Sequence, residues 1–139
     1  MGEMLIETDD RWLLGLQGAV VDQCCFDYAV VLRSTQASWE LRLEQQFMLS
    51  DLDGTEHLVI PAEARHLEFV LPVLRAPIDS ACAFKVGDLE LKIGGATITV
   101  PPNDAFEAWT VTGPNGLRVV SMPGGTLAVW SPSGAHSQG

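Results

Sequence analysis

Apolar and polar residues alternate most regularly in residues 37–49. Every second position is apolar except one, and the apolar series consists of Trp39, Leu41, Leu43, Phe47 and Leu49. The positions between them are mainly charged or amide residues: Glu40, Arg42, Glu44 and Gln46. A period of two is typical of a β-strand that places one face on the core and the other in water. Gln45 is the only interruption of the apolar series.

The same alternation recurs in shorter segments along most of the chain. Glycine, proline and aspartate separate these segments, and tight turns require such residues. The clearest turns are Asp53-Gly54, Gly94-Gly95 and Pro123-Gly124-Gly125. Further strand segments include 11–16, 25–33, 57–60, 78–86, 89–93, 106–112, 117–122 and 126–130. Short strands with turn residues between them predict antiparallel pairing.

Residues 62–74 are the one helix candidate. Leu67, Val70, Leu71 and Leu74 recur at helical spacing. Pro72 cannot continue a helix, so we expect the helix to end near Val70 or Leu71. In the alternative interpretation, 67, 69 and 71 form one face of a strand.

These patterns predict a mainly β to α+β fold. We expect a curved antiparallel sheet or a two-layer β roll of seven to nine strands with one short helix. With 139 residues, the chain is long enough to bury a core without disulfides. We expect a single globular domain over residues 1–130 and a disordered tail over 131–139, which is small and polar.

The charge balance is strongly acidic. Eighteen acidic and eight basic residues give a formal net charge of −10. Such a field repels phosphate, so nucleic acid and anionic membranes are unfavourable partners, whereas a basic protein is attracted. The alternative interpretation is that acidity only keeps the protein soluble. The odd number of cysteines (Cys24, Cys25 and Cys82) and the absence of a leader-like N-terminus favour reduced thiols and a cytoplasmic location.

Candidate catalytic and metal-binding residues are sparse. Asp51, Asp53, Glu56 and His57 form the densest cluster, but leucines interrupt it and its spacing is not that of a calcium loop. We interpret it as a solvated turn. A cysteine nucleophile, Cys25 or Cys82, assisted by His57 or His66 is an alternative without a supporting motif. We therefore predict a protein that is not an enzyme, with no metal and no cofactor.

Glu107 and Trp109 are the candidate binding residues. They share one face by alternation, and tryptophan is enriched at interaction hot spots. A contact surface centred on Trp109 with an acidic rim is one interpretation. The other is a core tryptophan with a solvated glutamate beside it.

Part of the chain resembles an uncharacterised family of small bacterial proteins, a domain of unknown function. The resemblance lies in the aromatic-Glu-x-Trp segment Phe106-Glu107-Ala108-Trp109 and in the turn Pro123-Gly124-Gly125. This sequence has Gly94-Gly95 where the family pattern has an aspartate-glycine turn. These are turn and strand residues, so the resemblance implies a shared fold and no particular activity.

Two functions from different classes follow from these observations. The first is a small acidic protein-binding module that is not an enzyme, with an immunity protein that occludes a toxin as one version. The second is a carrier with an apolar pocket inside the curved sheet, which would hold a small molecule. Homo-oligomerisation through an edge strand such as 126–130 is compatible with either.

Overall fold

Within the part of the chain that the structure describes, the alternating segments form thirteen strands, and every pairing between them is antiparallel. The structure, a computed structural model, describes residues 4–130. The predicted tail, 131–139, lies outside these residues. The strands are β1 (Leu5–Glu7), β2 (Arg11–Leu14), β3 (Gln23–Phe26), β4 (Val30–Ser34), β5 (Trp39–Leu43), β6 (Phe47–Ser50), β7 (Glu56–Val59), β8 (Ile78–Phe84), β9 (Leu89–Ile93), β10 (Ala96–Val100), β11 (Trp109–Thr112), β12 (Arg118–Ser121) and β13 (Leu127–Trp130).

The strands divide into two sheets. Seven form a sheet in the order β1-β2-β8-β9-β10-β6-β7, and six form a sheet in the order β13-β12-β11-β5-β4-β3. Inward-facing side chains from both sheets belong to one buried hydrophobic cluster. This confirms the predicted mainly antiparallel-β class. The strand count exceeds the predicted seven to nine, because the segments 25–33 and 37–49 each form two strands and because β1 lies outside the predicted segments.

The segment 37–49 forms two strands that belong to different sheets. Its first part, β5, belongs to the six-stranded sheet, and its second part, β6, belongs to the seven-stranded sheet. At the crossing, the backbone N–H groups of Glu44 and Gln45 both donate to the Ala108 carbonyl, at 2.9 and 3.0 Å. The Gln45 side-chain amide donates to the Pro102 carbonyl at 3.1 Å. Gln45, the single interruption of the alternation, thus marks the point where the chain changes sheets.

The predicted helix forms as two short 3₁₀ segments, Ala64–Phe69 and Leu71–Val73. The N–H groups of Val70, Val73 and Leu74 each donate to a carbonyl three residues earlier, at 3.0 Å. Pro72 has no N–H to donate to the residue four positions before it, so an α-helix cannot continue through this segment. The change from the predicted helix is therefore one of type and length, and its position is as predicted. Val70 and Val73 are buried and attach the segment to the core.

A single carbonyl links the two sheets inside the core. The Gly87 oxygen, in the turn between β8 and β9, accepts hydrogen bonds from the Trp109 indole and from the Ser121 hydroxyl, both at 2.9 Å. Trp109 and Ser121 are fully buried and belong to the six-stranded sheet. Because both donors would otherwise be unsatisfied in the interior, this acceptor fixes how the turn sits against the opposite sheet.

Gly87 has no room for a side chain. Its φ is +114°, and a Cβ built there would lie 2.7 Å from the Gly125 Cα and 2.8 Å from the Pro102 Cβ. Those neighbours are backbone or ring atoms, which cannot rotate away. Three turns therefore meet at this position, and only glycine permits the approach.

We expect Gly87→Ala to destabilise the fold more than Gly124→Ala does. Both glycines have positive φ, but a Cβ at Gly124 meets nothing within 4 Å. The difference between the stability losses of the two variants therefore measures the steric clash at Gly87. We expect this difference to be about 1–3 kcal/mol in the free energy of unfolding, as for other overpacked sites. Urea unfolding of the two variants measures it. Equal losses would show that the turn at Gly87 can move aside.

Candidate functional site

The structure separates the two predicted binding residues. Trp109 has no exposed surface, and its indole nitrogen is bonded to Gly87. Its burial favours the alternative interpretation, a core tryptophan, over a contact surface centred on it. Glu107 precedes β11 and is half-buried. A binding role for Glu107 stays a prediction.

A groove lies between the β6–β7 turn and the 3₁₀ segments. Its volume is about 240 Å³. Apolar side chains form most of its lining: Leu49, Leu52, Phe69, Pro72, Val73, Ile93 and Ala96. Asp51, Asp53 and Gly94 complete it. The described residues that line the groove thus include two carboxylates and no lysine or arginine.

Asp51 organises the turn on one side of the groove. One of its carboxylate oxygens accepts from the backbone N–H groups of Asp53 and Thr55, at 2.9 and 3.1 Å. The other lies 2.9 Å from the His57 Nε2. The hydrogen bond with His57, followed by those from the backbone, lowers the pKa of Asp51 below its usual value. The carboxylate therefore stays charged at the rim of the groove.

His57 connects this turn to the 3₁₀ segment on the other side. Its ring stacks on Phe69, with 4.2 Å between the ring centroids and 17° between the planes. His66 contacts the same Phe69 at 6.4 Å, and its Nδ1 accepts from the Ile60 N–H at 3.1 Å. Both histidines thus hold the walls of the groove in place.

Leu52 stands out at the tip of the turn. Its side chain is 77% exposed although it is aliphatic, and it is flanked by Asp51 and Asp53. Leu71, in the 3₁₀ segment Leu71–Val73, is also exposed. Exposed leucines beside an apolar groove are typical of an interaction surface.

A family model described as a family of unknown function, DUF6188, matches residues 12–131. The chain belongs to this family. The predicted membership of an uncharacterised family is therefore confirmed. Comparisons with curated proteins and with solved structures gave no match. The family description assigns no activity, so the function of this DUF6188 chain has to be argued from its own surface.

Cys25 and Cys82 of the DUF6188 chain have hydrogen-bond partners other than His57 and His66. Cys25 accepts from the Arg33 guanidinium at 3.1 Å, and the Cys82 thiol lies 3.9 Å from a Glu90 oxygen. Burial raises the pKa of Cys24 and of Cys82. Within residues 4–130, the hydrogen-bond partners of Cys25 and Cys82 do not include His57 or His66.

Two further findings concern the described residues of the DUF6188 chain. None of its groups of histidine, cysteine, aspartate and glutamate brings three or more together in a way that could hold a metal ion. None of its helices within 4–130 is long and apolar enough to cross a membrane.

Sequence reasoning identified the turn of the DUF6188 chain and missed the groove beside it. The cluster from Asp51 to His57 was interpreted as a solvated turn, and Leu52 counted only as an interruption. The available signal was that leucine itself, since an aliphatic residue between two aspartates at a turn tip has no core to enter. Phe69 carried no signal, because its stacking on His57 depends on tertiary contacts.

We expect Asp51→Asn to remove a pH-dependent part of the stability. The pKa of Asp51 is lowered in the folded state, so its contribution is present above the unfolded value and is lost as pH falls through the folded value. The gap in melting temperature between the native chain and Asp51→Asn should therefore narrow from about pH 6 to about pH 2. Thermal unfolding followed by circular dichroism measures it.

Asp53→Asn is the matched control for this prediction. It removes a carboxylate from the same turn without removing the acceptor of these hydrogen bonds. We expect it to leave the pH dependence close to that of the native chain. A constant gap for Asp51→Asn across the pH range would contradict the prediction.

Proposed function

We propose that this chain is a small protein-binding module that is not an enzyme, and that it binds a basic protein partner at the groove between the β6–β7 turn and the 3₁₀ segments. The observation that carries the proposal is the exposed Leu52 between two aspartates, beside an apolar groove. This combination matches a partner that presents an apolar side chain flanked by lysine or arginine.

The chemistry of the groove supports this partner class. Leu49, Val73 and Ile93 provide an apolar floor, and burying an aliphatic side chain there would contribute about 1.5–3 kcal/mol. Asp51 and Asp53 place negative charge at the rim, where a basic residue of the partner would pair with them. The arrangement resembles an interface anchor surrounded by charges, in which the apolar contact supplies affinity and the charges supply orientation.

The rigidity of the walls supports it as well. Two backbone hydrogen bonds to Asp51 and the stacking of His57 on Phe69 fix both sides of the groove before a partner arrives. A site that is already ordered loses less conformational entropy on binding.

Two of the three thiols, Cys24 and Cys82, are poorly suited to act as nucleophiles. A nucleophilic cysteine is activated by a lowered pKa, whereas burial raises the pKa of Cys24 and Cys82. An immunity protein that occludes a toxin remains one version of the proposal, since toxin and inhibitor pairs commonly rely on opposite charge.

The carrier hypothesis has less support. Trp39 and Trp109 pack inside the buried cluster that joins the two sheets, and neither lines the groove. This groove, at about 240 Å³, is smaller than most sites for drug-sized ligands, which begin at roughly 300 Å³, and a second groove beside Met48 and Leu58, at about 340 Å³, is more open to solvent.

The groove is tested by charge reversal at two places. Asp53→Lys and Glu107→Lys change the net charge equally, but only Asp53 lines the groove. We expect a basic protein captured by the native chain from its source cells to be lost with Asp53→Lys and retained with Glu107→Lys. Loss of the partner with Glu107→Lys and its retention with Asp53→Lys would place the binding surface at Glu107 and contradict binding at the groove.

The purified partner then allows the apolar contact to be measured. We expect Leu52→Ser to weaken binding by about tenfold or more, the equivalent of 1.4 kcal/mol. Leu58→Ser is the matched control, since Leu58 is a partly exposed leucine on β7 that does not line this groove. Calorimetric titration gives both affinities, and an unchanged affinity for Leu52→Ser would contradict the proposed contact.

Salt should slow the association of the two proteins. The net charge of −10 attracts a basic partner over long range, and added salt screens that attraction. We expect the association rate constant to fall at least about tenfold between roughly 20 and 500 mM salt, with a smaller change in the dissociation rate. Stopped-flow fluorescence measures both rates. An association rate that does not depend on salt would exclude electrostatic steering.

A further inference from the structure

The β13 strand is an open sheet edge without the usual protection. It lies at one end of the six-stranded sheet, and among residues 4–130 it pairs only with β12. Its sequence, Leu127-Ala128-Val129-Trp130, contains no charge and no proline. Natural edge strands generally carry such residues, because a bare edge pairs with other strands.

The three other edges are different. β1 carries Glu7, which pairs with Lys85 at 2.6 Å. β7 carries Glu56 and His57, and the Ala64–Phe69 segment packs against it. β3 is flanked by Asp22 and Asp27. Among the edges that the structure describes, β13 is therefore the one best suited to a further strand.

The charge distribution indicates which chain would pair with the β13 edge. Residues 108–130 contain a single charged residue, Arg118, in a chain with eighteen acidic residues. A basic partner has nothing to pair with along this edge. Two copies of the chain, which repel each other elsewhere, meet the least repulsion here. We infer that β13 pairs antiparallel with β13 of a second copy, which joins two six-stranded sheets across a twofold axis.

The hydrogen bonding of the β12–β13 hairpin determines which groups are free. The Met122 N–H donates to the Thr126 carbonyl at 2.8 Å, so these two residues form a hydrogen-bonded pair. From this pair onward, non-hydrogen-bonded and hydrogen-bonded pairs alternate along the two strands. Ala128 and Trp130 are therefore bonded to β12. The N–H and carbonyl groups of Leu127 and Val129 point to the open edge.

These free groups fix a register. A twofold axis through Ala128 places Leu127 opposite the second copy's Val129, and Val129 opposite the second copy's Leu127. All four free N–H groups of the two strands are then satisfied. Ala128 faces its own copy in a close, non-hydrogen-bonded pair, where a methyl group fits.

The outer face agrees with this register. Trp130 is 43% exposed, and the Arg118 guanidinium lies 5.6 Å from the centre of its ring. Across the axis it would lie beside the second copy's Thr126, so the pairing covers an exposed indole. In this register each side chain stays on the same face of the joined sheet, because directly opposed residues of antiparallel strands point to the same side.

The oligomeric state tests the proposal. Sedimentation velocity at tens of micromolar should give twice the 15.0 kDa mass for the native chain and a monomer for Ala128→Lys, which opposes two like charges across the axis. We expect the dissociation constant of the dimer to rise at least about tenfold. Gln23→Lys, the same added charge on the β3 edge, should remain dimeric. A monomeric native chain, or a dimer that survives Ala128→Lys, would overturn the proposal.

Two further measurements separate this dimer from a non-specific one. Mild oxidation should link Ala128→Cys into a covalent dimer and leave the native chain unlinked, because the close pair brings the two Cα atoms to about 4.5 Å. Added salt should strengthen the dimer, since it screens the repulsion between two acidic copies. Failure of Ala128→Cys to form a covalent dimer would contradict the register. A dimer that dissociates in added salt would contradict the charge argument.

Discussion

The Gly87 carbonyl is the point on which the two sheets depend. It accepts hydrogen bonds from Trp109 and Ser121 in a mainly apolar interior, so its position couples a turn of one sheet to two strands of the other. The contact of Gly87 with Gly125 and Pro102 leaves little freedom for that turn. Aliphatic packing alone would allow the sheets to slide, because the hydrophobic effect has no direction. The two hydrogen bonds to the Gly87 oxygen are directional, so they fix the position of one sheet relative to the other.

The sequence predicted the strands better than their arrangement. Alternation over 37–49 identified the inward face of β5 correctly, because burial on one face imposes a period of two wherever a strand lies. It gave no information on which sheet each half joins. That information lay in Gln45, whose side chain bonds Pro102 and whose backbone bonds Ala108, two partners more than fifty residues away. Long-range pairing of this kind leaves only a local irregularity in the sequence.

The candidate site shows the same limit in another form. Asp51 and His57 are six residues apart and belong to one cluster in the sequence, and the structure brings the Asp51 carboxylate to 2.9 Å from the His57 ring. The wall opposite is formed by Phe69 and Val73, from the 3₁₀ segments, whose place beside the groove depends on tertiary contacts. Trp109 drew attention because tryptophan is common in interfaces, yet its donor found a buried acceptor. Residue type alone does not distinguish an interface anchor from a core aromatic, because both need a large apolar surface and a partner for the ring nitrogen.

The acidic charge is distributed unevenly, and this has a physical consequence. The β6–β7 turn carries Asp51, Asp53 and Glu56 beside an apolar groove, whereas residues 108–130 carry no acidic residue. A uniform charge would repel a second copy from every direction and attract a basic partner to every face. The proposed contact with a basic partner and the proposed pairing of β13 would therefore lie on different sheets. Because screening would weaken the first contact and strengthen the second, we expect ionic strength to shift the balance between them.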